Sequence, residues 1–169
     1  MSEDNRFIDN GDGTITDKLT NLVWCKNDSY LDMKKFLTYR QAQKYRDKMN
    51  KENFAGQADW RIPEKKEAQS LFDYSHERSI KDKYDMVLHI DPVFPIGGGY
   101  NTWTSETRGK ITAYVFQFSD GSGQHHEVDG TVSTSVRLVR GEPNADELAK
   151  LGKIPPPKMT TPIGGGGWR

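Results

Sequence analysis

Residues 54–75 of this 169-residue chain read FAGQADWRIPEKKEAQSLFDYS, and this stretch predicts the centre of the fold. Trp60 and Ile62 are large apolar residues separated by Arg61, which is the alternation typical of a short extended segment. Pro63 disfavours the helical conformation at Ile62 and itself suits the first turn of a helix. We therefore expect a short extended segment that leads directly into a helix.

The segment that follows is predicted to be an amphipathic helix over about 64–73. Glu64 and Glu67 favour a helix N-terminus, because carboxylates interact well with the unpaired N–H groups there. The apolar face has the i, i+3, i+4 spacing and consists of Ala68, Leu71 and Phe72. We expect Trp60 and this helix to be buried against a sheet, with Arg61 or Glu67 hydrogen-bonded to loop backbone.

The same stretch resembles the signature G-x-x-DWRLP-x-x-KEL-x-SL-x-DYS of the Lcl C-terminal domain family, which is named for a bacterial collagen-like adhesin. Three further segments resemble the family in the same order, namely 6–26, 90–107 and 113–141. The family is related in fold to C-type lectins and formylglycine-generating enzymes. The resemblance implies an α+β, C-type-lectin-like fold in which two helices pack on an antiparallel β-sheet with long irregular loops. We expect one such domain over 1–141 and a C-terminal arm over 142–169.

The charge balance of the chain argues against a protein that binds nucleic acids or membrane surfaces. Lys and Arg together number 24, as do Asp and Glu, so the formal net charge is zero. Such a chain has no overall field that attracts nucleic acid or anionic lipid. No apolar run approaches the roughly 20 residues that a membrane-spanning helix needs. We expect no nucleic-acid partner and no membrane span.

Cysteine usage indicates a reducing compartment. Cys25 is the only cysteine, so no intrachain disulfide can form. Many members of the family that this chain resembles carry a cysteine pair, and the matching positions here are Arg46 and Leu138. Loss of both fits a compartment that disfavours disulfides, and the N-terminal residues show no secretory signal. We expect a cytoplasmic protein, or an extracellular one if a leader peptide has been removed.

Residues 6–24 are expected to form two strands around a tight turn at 9–13, which reads DNGDG. The turn superficially suggests a calcium loop. However, Gly11 and Gly13 occupy positions where that loop needs oxygen ligands, and no Glu closes it. We predict a hairpin turn here, and neither a metal nor a cofactor for the chain.

A first helix is predicted over about 39–51, because Thr38 and Gln41 have the spacing of a capping box. Its buried stripe is expected to contain Tyr39, Ala42, Tyr45 and Met49. A basic ridge on another face consists of Arg40, Lys44, Lys48 and Lys51. Two interpretations of this ridge remain open: a solvated helix face, or an anion-binding strip for a sulfated glycan or an acidic partner.

Residues 75–100 are expected to form a long structured loop, which ends in a run of three glycines. Long loops in compact domains are often functional, and the resemblance implies ligand sites on the loops above the sheet. The 75–110 loops and the hairpin over 119–131 are therefore the expected binding region. The candidate ligand-binding or partner-binding residues there are Tyr100, Asn101, His125 and Glu127.

Two strands are predicted in the second half of the domain, over 112–118 and 132–140. In the first, Tyr114, Phe116 and Phe118 alternate with Ala113, Val115 and Gln117; in the second, Val136 and Leu138 alternate with Arg137 and Val139. A strand between them would place His125, Glu127 and Asp129 on one face. Metal binding by these three is an alternative to the polar outer face of a hairpin, which we prefer.

Residues 142–169 have a different composition from the rest of the chain. Asn144 is predicted to cap a short helix, with Glu147 at its third position. The Pro-rich and Gly-rich segment that follows cannot form a core of its own, although it keeps spaced apolar residues. We expect the arm to dock on its own domain or on a protein partner, and we predict a partner contact anchored by Trp168.

No enzyme is indicated by the sequence. Formylglycine-generating enzymes act through cysteine thiolates, and a single Cys25 cannot reproduce a pair. Ser105, His89 and Asp91 are not framed by a nucleophile elbow or an oxyanion-hole motif. Structural roles are instead expected for Trp24, Trp60, Arg61, Pro63, Glu67 and Trp103.

Two non-catalytic functions remain open. The first is a protein-binding or accessory subunit of a larger assembly, which would use its loops and its C-terminal arm. The missing cysteines favour this interpretation. The alternative is a glycan-binding, adhesin-like domain, which the resemblance favours because the founding adhesin binds glycosaminoglycan.

Overall fold

The computed structural model describes residues 6–130 and 133–151 of the chain. These residues contain four α-helices and nine β-strands, and the strands form three antiparallel sheets. In chain order the elements are β1 (Phe7–Asp9), β2 (Thr14–Asp17), β3 (Leu22–Cys25), α1 (Ser29–Met33), α2 (Tyr39–Lys51), α3 (Lys65–Ser70), β4 (Ile80–Lys81), β5 (Val87–Leu88), β6 (Asn101–Arg108), β7 (Thr112–Gln117), β8 (Gly123–Glu127), β9 (Val139–Arg140) and α4 (Ala145–Leu151). The predicted α+β class is confirmed, although the described residues contain four helices where the family resemblance implies two.

The first sheet has the strand order β1-β2-β3-β9. The DNGDG turn joins β1 to β2, as predicted. The prediction of two strands is wrong, because a second turn over 18–21 separates β2 from β3 and makes a third. The buried carboxylate of Asp17 stabilises this second turn by accepting from the N–H of Leu19 and the hydroxyl of Thr20, at 3.0 and 2.8 Å.

The sheet β6-β7-β8 separates two hydrophobic clusters, because its central strand is covered on both faces. Ala113 and Val115 pack into a first cluster with α2, whereas Phe116 packs into a second cluster with α3. The alternation predicted for 112–118 is therefore real. Its two sets of side chains supply two different cores.

The closing segment departs from its predicted strand over 132–140. Only β9 pairs with β3, and residues 133–138 belong to no helix or strand. Backbone carbonyls of this segment instead accept N–H groups from four separate parts of the chain, at Cys25, Ser29, Leu37 and Trp103. Arg137 is 4% exposed and Val136, Leu138 and Val139 are fully buried, so both sets of the predicted alternation lie in the interior.

Helix α2 agrees with the prediction in its ends, its cap and its buried face. The side chains of Thr38 and Gln41 each accept an N–H from the other residue, at 3.1 and 2.9 Å, which completes the capping box. The buried residues are those predicted, namely Tyr39, Ala42, Tyr45 and Met49.

Helix α3 is shorter than the predicted 64–73. The N–H groups of Leu71 and Phe72 bond to carbonyls three residues earlier, which tightens the last turn. The next N–H, that of Asp73, bonds to the carbonyl of His89 at 2.7 Å. This contact with a distant segment ends the helix, so the apolar face continues beyond the helical residues.

The segment before α3 is buried as the sequence predicts. Trp60 is 2% exposed, its indole N–H donates to the carbonyl of Phe54 at 3.0 Å, and its backbone is clamped by the side-chain amide of Asn50. Arg61 exchanges both backbone hydrogen bonds with Val139 and so joins this segment to β9. The stretch around Trp60 thus connects the helices to the first sheet.

Candidate binding surface

The long loop between α3 and β6 is fixed to the first helix by a buried carboxylate. Asp28, the N-cap of α1, is 2% exposed and accepts the N–H groups of Leu31 and Gly99 at 2.9 and 2.8 Å. A Cβ atom at Gly99 would lie 2.3 Å from the Oγ of Ser135, and one at Gly98 would lie 2.8 Å from the Asp28 carboxylate. The glycine run therefore allows close packing that a side chain would prevent.

Strands β4 and β5 form a small hairpin that is bonded to the same glycine run. The N–H of Lys83 donates to the carbonyl of Gly98 at 2.8 Å, and the N–H of Gly97 donates to the carbonyl of Lys81 at 2.9 Å. Asp82, which is buried, holds the hairpin turn by accepting two backbone N–H groups. These bonds give the hairpin a defined position beside α1.

Three aromatic rings surround the ammonium group of Lys83 on this surface. The Lys83 Nζ atom lies 4.6 Å from the ring centroids of both Tyr30 and Tyr84 and 5.9 Å from that of Phe36. The rings of Tyr30 and Phe36 contact each other, with centroids 4.8 Å apart. Cation–π attraction therefore favours one position for the lysine head group.

Tyr30 and Phe36 are half-buried, and the hairpin and glycine-run segments bonded beside them each carry an exposed apolar side chain. Tyr84 is 64% exposed, and Ile96, which precedes the glycine run, is 70% exposed. Large apolar side chains grouped at a protein surface mark interaction sites. We call the group formed by Tyr30, Phe36, Lys83, Tyr84 and Ile96 the loop face.

Lys83 is charged at physiological pH. A side-chain hydrogen bond with Tyr30 raises the pKa of the lysine and outweighs the opposite effect of lost hydration. The aromatic rings therefore surround a cation, and its remaining N–H donors are available at the surface.

Two of the predicted binding residues lie beside the loop face but are used by the fold. Asn101 is 2% exposed, and its side-chain amide bonds to the N–H of Ser135 and the carbonyl of Ser133. The hydroxyl of Tyr100 lies 3.2 Å from the Oγ of Ser133. Asn101 is consequently a structural residue that holds the closing segment.

The other two predicted residues lie farther along the sheet. Asn101 pairs with Gln117 across β6 and β7, whereas Glu127 pairs with Thr112 at the opposite end of β7. Five residues of strand separate these ends by about 17 Å. His125 lies between them and contacts Glu106 at 3.5 Å. The structure does not bring the predicted residues together in one site.

The metal alternative is not supported by the geometry. Asp129 forms an ion pair with Arg40 at 2.7 Å, and His125 contacts a different carboxylate, that of Glu106, at 3.5 Å. Within residues 6–130 and 133–151, no group of three or more His, Cys, Asp or Glu side chains is arranged to hold a metal ion.

The basic ridge of α2 is present at the surface. Arg40 is paired with Asp129, and the remaining members, Lys44, Lys48 and Lys51, are exposed. The ridge lies on a different element from the loop face. It therefore offers a separate row of positive charge.

Cys25 is a core residue of the first cluster. It is 2% exposed, and burial raises the pKa of its thiol to about 12. The adjacent guanidinium of Arg137 lies 4.6 Å from the ring centroid of Phe94 and donates to the carbonyls of Cys25 and Lys26. The cysteine thus lacks the thiolate character that a reactive thiol needs.

The structural residues expected from the sequence are buried or bonded. Trp24 and Trp103 are 0% and 1% exposed, and the Trp103 indole N–H donates to the carbonyl of Leu37. The carbonyl of Pro63 accepts the N–H of Ser105 at 2.8 Å. Trp168, the predicted anchor of the arm, lies outside the described residues.

Sequence reasoning missed the loop face. Its members come from three segments, Tyr30 to Phe36, Lys83 to Tyr84, and Ile96, which are far apart in the chain. The available signal was an isolated Tyr84 and an isolated Ile96 within polar or turn-rich sequence. No local pattern indicates that the segments carrying them are hydrogen-bonded to each other.

Comparison with known proteins identifies the family. Residues 13–140 match the model of the Lcl C-terminal domain. The chain belongs to the Lcl C-terminal domain family. No curated protein and no solved structure matches the chain. The family match to this Lcl C-terminal domain covers β2 to β9 and α1 to α3, and therefore includes the whole loop face, whereas β1 lies before it.

Helix α4 lies beyond the matched residues of the Lcl C-terminal domain yet packs on it. Leu148 is 2% exposed, and the N–H of Asn144 donates to the carbonyl of Thr20 at 2.7 Å. The side chain of Asn144 accepts the N–H of Glu147, which confirms the predicted cap. Among the described residues, no helix has the length and apolar character needed to cross a bilayer.

Proposed function

We propose that this chain is a non-catalytic binding module that engages a protein partner through the loop face. The main observation in its support is the exposure of Tyr84 and Ile96 in a loop whose backbone is held in place by hydrogen bonds. Aromatic side chains are enriched in protein interfaces. A surface with a defined conformation also loses less conformational entropy on binding than a flexible one.

In this proposal the chain acts as an accessory subunit in a reducing, cytoplasmic environment. Cys25 is buried and free, which fits such an environment. Helix α4 docks on α3 and the first sheet, so residues 142–151 belong with the domain. Residues 152–169 then supply a second partner-binding segment, with Trp168 as its anchor.

The contacts of His125 support the non-catalytic assignment. His125 lies 3.2 Å from the hydroxyl of Thr112 and 3.5 Å from the carboxylate of Glu106. Thr112, however, pairs across the sheet with Arg108 and Glu127. Thr112 is half-buried at the first position of β7, and we assign it a role in the sheet because a nucleophile also needs oxyanion donors aimed at the substrate.

Glycan binding is the second candidate function. The observation that favours it is the exposed row Lys44, Lys48 and Lys51 on α2, which presents the spaced positive charge that sulfated glycans bind. The zero net charge of the chain limits the long-range attraction. We therefore rank this function second.

A capture experiment with a matched control tests the proposal. The double variant Tyr84→Ser/Ile96→Ser removes the exposed apolar groups, and Ile111→Ser removes a similarly exposed residue, 69% accessible, at the β6–β7 turn. Immobilised wild type and variants are exposed to lysate of the source organism, and retained proteins are quantified. We expect one partner to be retained by wild type and Ile111→Ser and to fall at least about tenfold with the double variant.

Equal retention by all three proteins would reject the loop face as the interface. A sulfated-glycan array probed with the same three proteins, and with the variant Lys44→Glu/Lys48→Glu, tests the second function. If wild type binds glycans and retains no protein partner, and if the lysine variant loses the glycan binding, the chain is a glycan-binding domain.

A further inference from the structure

We infer that the outer edge of β8 pairs with β8 of a second copy of this chain, which joins the two β6-β7-β8 sheets into one. This inference goes beyond the proposed function, because it concerns a different surface and a different partner. It follows from the backbone groups on the edge of β8, from a register that suits two identical strands, and from the side chains that this register brings together.

Alternate residues of β8 direct their backbone groups away from β7. Backbone hydrogen bonds join Ser122 and Val128, which flank β8, to residues at the two ends of β7. Because hydrogen-bonded pairs alternate along antiparallel strands, the even-numbered residues of β8 bond to β7. The residues whose N–H and C=O groups point to the outer edge are Gly123, His125 and Glu127.

The outer edge of β8 is unpaired within residues 6–130 and 133–151. One backbone bond reaches its outward groups there, from the N–H of Gly130 to the carbonyl of Glu127 at 3.1 Å. The opposite edge of the sheet differs, because the N–H groups of Trp103 and Ser105 in β6 donate to carbonyls of other segments. The chain therefore closes one edge of this sheet itself and leaves the other available.

Strand β8 also lacks the features that usually prevent edge pairing. Its sequence, GQHHE, contains neither Lys nor Pro, and its register with β7 continues without a bulge. Natural sheets use such residues and bulges to keep edge strands from pairing with other chains. A regular edge without them can accept a further strand.

The outward residues of β8 suit an identical antiparallel strand. A two-fold axis at His125 sets this residue against its own copy and sets Gly123 against Glu127 of the second copy. Of the antiparallel registers, this is the one that places all three outward residues of both strands in hydrogen-bonded pairs. The interface is then isologous, which is the arrangement of most homodimers.

This register brings a carboxylate to a hydroxyl donor. The hydroxyl of Tyr114 lies over Gly123, where a Cβ atom would overlap it. Residues opposite each other in a hydrogen-bonded antiparallel pair have Cα atoms about 5.5 Å apart, so the side chain of Glu127 of the second copy can reach this hydroxyl. Burial raises the pKa of Tyr114, so the hydroxyl keeps its proton. Each copy thus supplies an acceptor for the other.

The opposite face of the strand is complementary as well. There the register sets Gln124 against His126 of the second copy, and the Nε2 atoms of these two side chains already lie 3.4 Å apart within one chain. The imidazole of His125, on the axis, contacts Thr112 and Glu106 of its own chain. No carboxylate faces a carboxylate directly across the paired strands.

A second copy fits this edge better than the chain's own C-terminal residues do. Residues 155–157 and Pro162 lack the N–H groups that a ladder needs, and the glycines at 164–167 weaken a strand. A strand from another protein could use the same backbone groups. The match to Tyr114 and Gln124, however, comes from the sequence of β8 itself.

Sedimentation of the full chain at rising concentration tests this inference. We expect a reversible equilibrium in which the dimer fraction grows with concentration. His125→Pro removes an outward N–H and keeps the bonds to β7, because an edge strand tolerates proline at such a position. It is expected to weaken the dimer at least about tenfold, since both hydrogen bonds on the axis are lost. The control His125→Ala keeps the N–H and is expected to dimerise as wild type does.

Amide hydrogen exchange of the wild-type protein gives a second measurement, which decides the question even if His125→Pro does not fold. The amides of Gly123, His125 and Glu127 are expected to gain protection as the concentration rises. Those of Gln124 and His126 are expected to be protected at every concentration, because they bond to β7.

Several outcomes overturn the inference. Among them are a chain that stays monomeric, a dimer that persists in folded His125→Pro, and a dimer that weakens equally in His125→Ala. Outward amides that are protected at every concentration and lose this protection on removal of 152–169 would assign the edge to the C-terminal residues. Protection that appears only with a captured partner would assign it to a strand of that partner.

The loop-face variant keeps this test independent of the proposed function. Tyr84→Ser/Ile96→Ser leaves β8 unchanged and is expected to dimerise as wild type does. If this variant abolishes the dimer, the loop face joins the two copies and the β8 inference fails. If it dimerises normally and no protein partner is captured by wild type, the proposed function fails and the β8 inference stands.

Discussion

The carboxylate of Glu67 is fully buried and accepts hydrogen bonds from both terminal nitrogens of the Arg61 guanidinium, at 2.6 and 2.8 Å. The same carboxylate accepts the N–H of Glu64 at the start of α3, and the guanidinium also donates to the carbonyl of Gly141 at 2.9 Å. One ion pair thus ties the beginning of α3 to the end of the first sheet. The hydrogen bond with Glu67 also raises the pKa of Arg61.

We expect Glu67→Gln to lower the free energy of unfolding by about 3 kcal/mol, because it leaves the guanidinium without its counter-charge. This value is at the low end for a buried pair, since the side chain of Arg61 is 33% exposed. Urea unfolding measures the change. The control Glu52→Gln alters an exposed carboxylate after α2 and is expected to shift the free energy by less than about 0.5 kcal/mol. Equal stability of Glu67→Gln and wild type would contradict this role.

Gly99→Ala is expected to destabilise the protein by about 1–3 kcal/mol, the usual cost of overpacking. The new methyl group would lie 2.3 Å from the Oγ of Ser135 and 3.0 Å from its Cβ. Ser135→Gly removes both atoms, so the double variant should be more stable than the sum of the single effects predicts. Thermal unfolding of all four proteins checks this. Additive effects would show that Ser135 is not the obstacle.

Cys25 is expected to resist alkylation in the folded protein. Burial raises the pKa of its thiol to about 12, so only about one molecule in ten thousand carries the thiolate at pH 8. Iodoacetamide labelling at pH 8 should be slow in buffer and fast in concentrated urea, where the thiol is exposed. Rapid labelling of the folded chain would place Cys25 at an accessible surface.

The protein is expected to lose stability as the pH falls below about 6.5. Burial, followed by the neighbouring charge of His76, lowers the pKa of His89 from its ordinary value of 6.5. The unfolded chain therefore binds a proton at this position more readily than the folded chain does. The stabilisation is present above pH 6.5 and is lost as the pH falls through that value.

Melting temperatures at pH 7.5 and pH 5.5 measure this dependence. The imidazole rings of His76 and His89 stack with centroids 3.9 Å apart, so a charge on His76 opposes protonation of His89. In His89→Gln the difference in melting temperature between the two pH values should shrink. An unchanged difference would assign the pH dependence to other groups, such as the carboxylate of Asp73, whose pKa is lowered by its hydrogen bonds to Ser75 and to backbone N–H groups despite the opposing effect of burial.

Two truncations separate the helix of the arm from the residues beyond it. Removal of 142–169 is expected to lower the melting temperature by several degrees, because it removes α4 and the buried Leu148. Removal of 152–169 is expected to leave the melting temperature within about 2 °C and to abolish retention of a partner. If removal of 152–169 lowers the melting temperature and the partner is still retained, residues 152–169 are an intrachain strap.

Helix α2, the DNGDG turn, the cap at Asn144 and the burial of Trp60 were determined by the sequence itself. Each depends on residues close together in the chain. The capping box needs only Thr38 and Gln41, and the buried face follows from helical spacing. Local backbone geometry is sufficient to relate such residues, so their structure can be predicted without the rest of the fold.

Only the tertiary structure decided the loop face and the course of the closing segment. Lys83 meets Tyr30 across a long sequence separation because Asp28 and the glycine run bring their segments together. The pattern of residues 132–140 predicted a strand, yet residues 133–138 bond to several separate elements and Arg137 among them is buried. These arrangements depend on contacts between distant segments. Their geometry is fixed when the core packs, and no periodicity along the chain encodes it.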